Sequence, residues 1–416
     1  MRTRKHLKKH MTASSFCVTC RNIPVHSCPD TCSTAIATEK GAFMNELDHF
    51  LEAADQPERY GAGIKAGGTP VLGYLCSYAP EEIIHAAGVH PLRLFGTLES
   101  TLHADSHLQA YCCSLARGVL ETALDGTLEF LDGAVFPHTC DTIQRLSDIW
   151  RLNTPFDFFA DVVHPVRLDA GFAREYLEDT LQRFKRELEA WSGSKIDDAA
   201  LARSIETFNT ARKRLDDLYR MRSRDPGCIS GSRVSSIVKA SMILNRDELP
   251  GRLSRLLEEI ESGRYRTGAT DDRKRLLVAG SLCDHPDFYS MVENLGGVVV
   301  WDDLCTGSRA FDGFIDPSGD PVKAIARRYF ERRPCPSKHL SNTARAEALA
   351  SMAEEHGVQG IIFFLLKFCD PHAFDYPYLK EYLEAKNIPV TLIEVEDSLP
   401  PEGQLTTRLE TFIYTL

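Results

Sequence analysis

Residues 70–95 read PVLGYLCSYAPEEIIHAAGVHPLRLF, and the fold follows from them. Pro70 to Leu75 is a short, nearly continuous apolar run, the pattern of a strand buried on both faces. Pro80 to Ala87 carries proline near its first turn and Glu81 and Glu82 at its positive end, which predicts a helix. Pro91 to Phe95 is a second apolar run. Strand, helix and strand in immediate succession form a βαβ unit, the connection that parallel strands require. Cys76 and Ser77 stand in the loop at the carboxyl end of the first strand.

The same placement of a cysteine recurs along the chain. GAVFPHT precedes Cys140, LLVAGSL precedes Cys283, VVVWDDL precedes Cys305 and IIFFLLKF precedes Cys369. In open α/β sheets the loops at the carboxyl ends of the strands converge on one crevice, where ligands bind. Thiols repeated at that position predict a shared cluster or metal, held inside the chain or at a subunit seam.

Further strands are expected at Asp132 to Phe136, Leu276 to Ala279, Val298 to Trp301, Gly360 to Leu365 and Pro389 to Glu394, with a helix from Asp141 to Trp150 and another ending the chain. Between the two strand-rich parts the period changes. Leu177, Leu181, Phe184, Leu188 and Trp191 recur at steps of three and four, as do Leu201, Ile205, Phe208 and Leu215, which predicts long antiparallel helices. Asp225, Pro226 and Gly227 mark a turn, and GATDD near Gly268 a hinge. The expected fold class is α/β, two Rossmann-like parallel-sheet domains with a helical connecting region. Its divisions are an extension over 1–43, an α/β domain over 44–165, a helical region over 166–268 and a second α/β domain over 269–416. No Gly-x-Gly-x-x-Gly or Gly-x4-Gly-Lys-Ser/Thr lies at a strand-to-helix turn, so no nucleotide is expected to bind this chain itself, and any ATP requirement falls to a partner.

With 416 residues, 43% hydrophobic and 26% charged, the composition is that of a soluble globular protein of two or three domains. A net charge of -11 argues against broad nucleic-acid binding, and no apolar run reaches the length that spans a bilayer. Thirteen cysteines without a secretory signal point to a reducing cytoplasm, where thiols serve metals or catalysis. Cys17, Cys20, Cys28 and Cys32 form C-x2-C-x7-C-x3-C in an aperiodic, basic extension. They are read either as a zinc or iron–sulfur site or as part of a disordered extension upstream of a start at Met44.

The segments GYLCSYAPEEIIHAAG, YCCSLARG, FPHTCDTIQRLSDIW, GSLCDHPDF, DDLCTGSRAFDG, RRPCPSKH, KFCDPHAFDYPYLK and EGQLTTRLE resemble, in order, those of the 2-hydroxyacyl-CoA dehydratase family. The resemblance is to the D-component type of 2-hydroxyglutaryl-CoA dehydratase and to the related benzoyl-CoA reductase subunits, and it runs from about Met44 to Leu416. It implies an oxygen-sensitive 4Fe-4S cluster, an acyl-CoA substrate, dimerisation with an identical or homologous subunit, and a separate iron–sulfur ATPase activator. In the chemistry it implies, one electron reaches the thioester carbonyl and the resulting ketyl radical anion expels the 2-hydroxyl. In a reductase the electrons stay in an aromatic acyl ring. A different reading makes the chain a non-catalytic, cluster-bearing partner subunit.

Carried over segment by segment, the resemblance makes Cys113, Cys140 and Cys369 the cluster ligands, with Cys112 competing with its neighbour Cys113 and Cys76 as the next candidate. A relative in the same superfamily holds a double-cubane cluster through additional cysteines. Cys305 and Cys335 are the candidates for that arrangement, or else, with Cys283, small core residues, while Cys228, in a turn outside the matched segments, is read as structural or merely exposed. Ser77 and Glu81 are the candidate catalytic residues among a wider set near these loops: Glu82, His90, His138, Asp141, His285, Asp370, His372 and Asp375. Helix capping is the competing explanation for Ser77 and Asp141. Arg117, Arg145, Arg309 and Arg408 are either CoA-phosphate contacts or ordinary ion pairs.

Overall fold

The computed structural model describes residues 45–268, 272–341, 343–396 and 398–416; the Cys17 to Cys32 set falls outside them. The first part opens with α1 (Glu46–Asp55), capped by the Asn45 side chain, and α2 (Pro57–Ala66). There follow β1 (Val71–Tyr74), α3 (Glu81–Ala86), β2 (His90–Arg93), α4 (Ser114–Leu124), β3 (Gly133–Pro137), α5 (Asp141–Asn153) and β4 (Phe158–Val162). The four strands are all parallel, in the order β2-β1-β3-β4. Every residue of β1, β2 and β3 is buried, as the apolar runs of β1 and β3 require in a parallel sheet, and β2 buries His90 and Arg93 with them. At the sheet edge, β4 alternates buried and half-buried residues.

Four helices come next: α6 (Ala173–Ser192), α7 (Asp198–Arg224), α8 (Gly231–Ser241) and α9 (Leu249–Glu261). The second sheet is built from β5 (Lys274–Gly280), α10 (Pro286–Asn294), β6 (Gly297–Asp303), α11 (Ser308–Phe311), α12 (Pro321–Glu331), α13 (Ala344–Glu355), β7 (Gly360–Leu366), α14 (Asp370–Ala385) and β8 (Val390–Val395), closed by α15 (Glu402–Thr415). Its parallel order, β6-β5-β7-β8, repeats that of the first. The fold is therefore α/β with two Rossmann-like parallel sheets.

The parts interlock more than their order along the chain suggests. Helix α7 packs on α3 below the first sheet and on β6 and α11 of the second. One apolar core joins Leu72 and Val135 of the first sheet to Leu177 and Leu181 of α6 and to Val322, Ile325 and Tyr329 of α12. The crossover from β6 to β7 thus lends a helix to the first sheet and brings Cys335 with it. Among the described residues no helix is long and apolar enough to cross a membrane.

Strand order reverses between β1 and β3, and again between β5 and β7. Such switch points open a crevice at the carboxyl ends of the strands. Cys76 and Cys140 follow the first pair, Cys283 and Cys369 the second.

Candidate functional site

Cys113, Cys140 and Cys369 are the residues immediately before α4, α5 and α14, each in the N-cap position. Cys140 and Cys369 are placed there by the strand ends they follow. Cys113 is not: it ends a long connection after β2, and its position comes from the packing of α4. Gly118 of α4 lies against the backbone of Thr97, and Gly96 takes a positive φ against Val119, so neither position has room for a side chain. None of the three thiols closes a full capping hydrogen bond, but the N–H groups of Ala116, Ile143 and His372 respectively favour the thiolate of each. Three helix N-termini thus turn their positive ends toward sulfur. Burial outweighs them while the sulfurs carry protons: the Cys113 thiol is raised, Cys140 is pushed up to about 12 and Cys369 lies well above the ordinary range. Such thiols give up their protons readily only to a metal that replaces them.

All three line one cleft of ≈ 670 Å³, together with His138, Ser337, Lys338, Arg345, Asp375 and Tyr378. Three further thiols, Cys76, Cys305 and Cys335, lie behind them. Cys140 feels Cys113, Cys76 and Cys335; Cys369 feels Cys113, Cys140 and Cys305; Cys305 feels Cys335 and Cys76. Each inner sulfur has a side-chain donor: Thr139 Oγ1 at 3.6 Å from Cys76, Arg309 Nη2 at 3.5 Å from Cys305 and Ser337 Oγ at 3.4 Å from Cys335. Burial raises the Cys76 thiol, but Arg93, the Thr139 hydroxyl, the Tyr78 N–H and Arg332 together hold it below the ordinary thiol range.

Positive charge surrounds the inner sulfurs. The Arg332 guanidinium stacks 4.0 Å from the centre of the Tyr78 ring and donates to the Ser77 carbonyl at 2.8 Å and hydroxyl at 3.1 Å. Arg93 Nε and Nη1, Lys338 Nζ and the Tyr78 hydroxyl are buried with no hydrogen-bond partner. Six thiols beside unfilled donors and buried cations suit a group that is rich in sulfur and negatively charged, which is the character of a thiolate-held iron–sulfur cluster. Among the described residues no three His, Cys, Asp or Glu side chains close in on one point as a single metal ion needs. A cubane occupies more space than one ion, and Cys113, Cys140 and Cys369 face the open cleft rather than a single point.

Ser77 and Glu81 do not line the cleft. Ser77 holds Arg332, while Glu81 pairs with Arg246 at 2.9 Å and accepts from the Tyr74 hydroxyl at 2.7 Å. Glu82 is paired with buried Arg212, and His90 meets the Ile243 carbonyl at 2.9 Å. Asp141 and Ser77 cap no helix: α5 is capped at Cys140 and α3 at Pro80. Cys112 is buried outside the cleft that Cys113 lines. Cys283 turns from the crevice into a core with Phe288 and Tyr289. Arg309 is buried against Asp303, and Arg145 is exposed beside Asp141 and Asp148. His138, in contrast, lines the cleft with its Nε2 held 3.0 Å from Asp161 Oδ1. Lys338 and Arg93 escape sequence reading, although Lys338 follows Cys335 by three residues in the segment RRPCPSKH.

Compared with known proteins, residues 76–416 match the family described as 2-hydroxyglutaryl-CoA dehydratase, D-component. The chain is similar to the (R)-phenyllactyl-CoA dehydratase beta subunit of Clostridium sporogenes, 27% identical over 375 residues, covering 90% of this chain and 98% of that protein. It is 26% identical over 381 residues to the (R)-2-hydroxyglutaryl-CoA dehydratase subunit beta of Acidaminococcus fermentans, covering 89% and 98%. With a subunit of benzoyl-CoA reductase from Thauera aromatica it shares 29% identity over 337 residues, 77% of this chain and 83% of that one.

Proposed function

The chain belongs to the 2-hydroxyglutaryl-CoA dehydratase D-component family, and from that premise we propose that it is the iron–sulfur subunit of an activator-dependent 2-hydroxyacyl-CoA dehydratase. The observation that carries this reading is the meeting of Cys113, Cys140 and Cys369 at three helix N-termini around one cleft. These three would hold a 4Fe-4S cluster and leave one iron open. Bound there, such a cluster would supply low-potential one-electron chemistry toward a thioester carbonyl, lending an electron for loss of the 2-hydroxyl and taking it back afterwards.

The chain's own residues do the rest. The cleft takes the acyl end of the CoA thioester, and His138, oriented by Asp161, holds the substrate proton that leaves. Ser77 and Glu81 are positioning residues, one fixing Arg332 and the other fixing Arg246 and Tyr74. Relatives named as beta subunits support an arrangement in which the enzyme is completed by a homologous or identical subunit. A separate iron–sulfur ATPase serves as activator.

A second reading has its own observation. Cys76, Cys305 and Cys335 stand beside the first three thiols, each with a side-chain donor. Six thiols would hold a double-cubane cluster, and the chain would then be a reductase subunit. Anaerobic purification with iron and sulfide analysis separates the two, with about four irons per chain expected for one cubane and about eight for two. A chain that binds no iron refutes both. With about four irons, dehydration of a 2-hydroxyacyl-CoA only on addition of activator, ATP and a reductant supports the first reading. Turnover without them would favour a Lewis-acid hydratase instead.

A further inference from the structure

Beside the thiols, Lys338 and Arg93 are buried cations that make no ion pair among the described residues and also leave side-chain donors without a hydrogen bond. Lys338 is 3% exposed and its ammonium makes no hydrogen bond. It lines the same cleft as Cys113, Cys140 and Cys369 and follows Cys335 by three residues. Arg93 is 2% exposed, keeps Nε and Nη1 unpartnered, and acts on Cys76 and Cys305. Their aromatic neighbours, Tyr78 at 5.4 Å from Lys338 and Tyr74 at 5.7 Å from Arg93, are weak compensation for the cost of burying an ion. Lys338 thus stands in the cleft itself, and strand pairing sets Arg93 opposite Tyr74, two residues before Cys76.

Resting on the reading given under Proposed function, we infer that Lys338 and Arg93 are positioning residues whose positive charge lies against the sulfur-held group and raises its reduction potential. Reduction adds one electron and breaks no bond, so the reduced form carries one more negative charge. A fixed cation in a poorly solvated site stabilises that form over the oxidised one. Arg309 is already neutralised by its ion pair with Asp303, whereas Arg332 donates only to the neutral Ser77.

The test uses the full-length chain, loaded anaerobically with iron and sulfide and titrated with a low-potential one-electron reductant while electron paramagnetic resonance follows the reduced signal. Lys338→Met keeps the volume and removes the charge. It should keep the wild-type iron content and move the redox equilibrium at least tenfold toward the oxidised form, which is 59 mV for one electron. Lys338→Arg should restore most of the shift. Unchanged potential at unchanged iron overturns the inference alone. Should Lys338→Met fail to load, Arg93→Met is judged by the same criterion, and loss of iron from both variants overturns tuning in favour of a purely structural role. A wild-type chain that takes up no iron would bring down the reading of the site, and this inference with it.

Discussion

Cys76 and Cys140 close neighbouring strands of one sheet at one switch point, yet their sulfurs are treated in opposite ways. Cys140 heads a helix, lines the cleft and binds its proton tightly, its thiol pushed up to about 12 by burial. Cys76 lies behind it, receives the Thr139 hydroxyl and is held below the ordinary thiol range by Arg93 and its neighbours despite burial. Thr139 is the residue next to Cys140, so one turn of chain serves both. Topology brings a thiol to the crevice; the donor and charge beside it decide what the thiol does there.

The division into outer and inner thiols breaks first at the outer ones. Cys113→Ala, Cys140→Ala and Cys369→Ala should each remove essentially all iron and the visible absorption of the anaerobically loaded chain. Three variants that keep full iron content would erase the distinction. Next in size are Cys76→Ser, Cys305→Ser and Cys335→Ser. If the inner thiols hold a second cubane, each variant should lose about half of the iron; with one cubane, iron analysis should find no change.

Cys283 is the control for position alone, because it too follows a strand at a switch point but packs into the core. Cys283→Ala should leave iron untouched and lower stability by about 1 kcal/mol, read from the denaturant midpoint. The smallest effect belongs to Phe368, which enters the Cys369 cap with φ 65, the left-handed region. Phe368→Gly relieves about 1–2 kcal/mol of backbone strain but gives back about 1 kcal/mol in chain entropy. A net gain of about 0.5 kcal/mol is expected from those two opposing effects, and a loss would mean that the ring's contacts outweigh the strain.

Most of the fold was legible because most strands are unbroken apolar runs: β1, β3, β5, β6 and β7 fall where the sequence places them. Strand β4 escaped, being short, at an edge and interrupted by Asp161, which serves His138 instead of the core. Strand order was beyond reach, as was the transfer of α12 to the first sheet, since both depend on packing between distant segments. Of the site, the strand-end position of Cys76, Cys140, Cys305 and Cys369 could be read from the chain's own pattern, whereas Cys113 and Cys335 joined them only through the family resemblance. Cys283 looked equivalent in sequence because nothing local says which way a loop side chain turns. Lys338 and Arg93 gave no signal of their own in the sequence, and it is the fold that buries them.

The three helix caps also have a place in time. Cys113 and Cys140 leave the ribosome early, while Cys369 follows after about 230 further residues, an interval of roughly 10–45 s at ordinary rates of synthesis. If these three thiols are the ligands, the nascent chain presents two of them through that interval with the third still missing. Loading would then wait for β7 to join its sheet, and Cys113 and Cys140 would have to stay reduced and free of stray metal until it does.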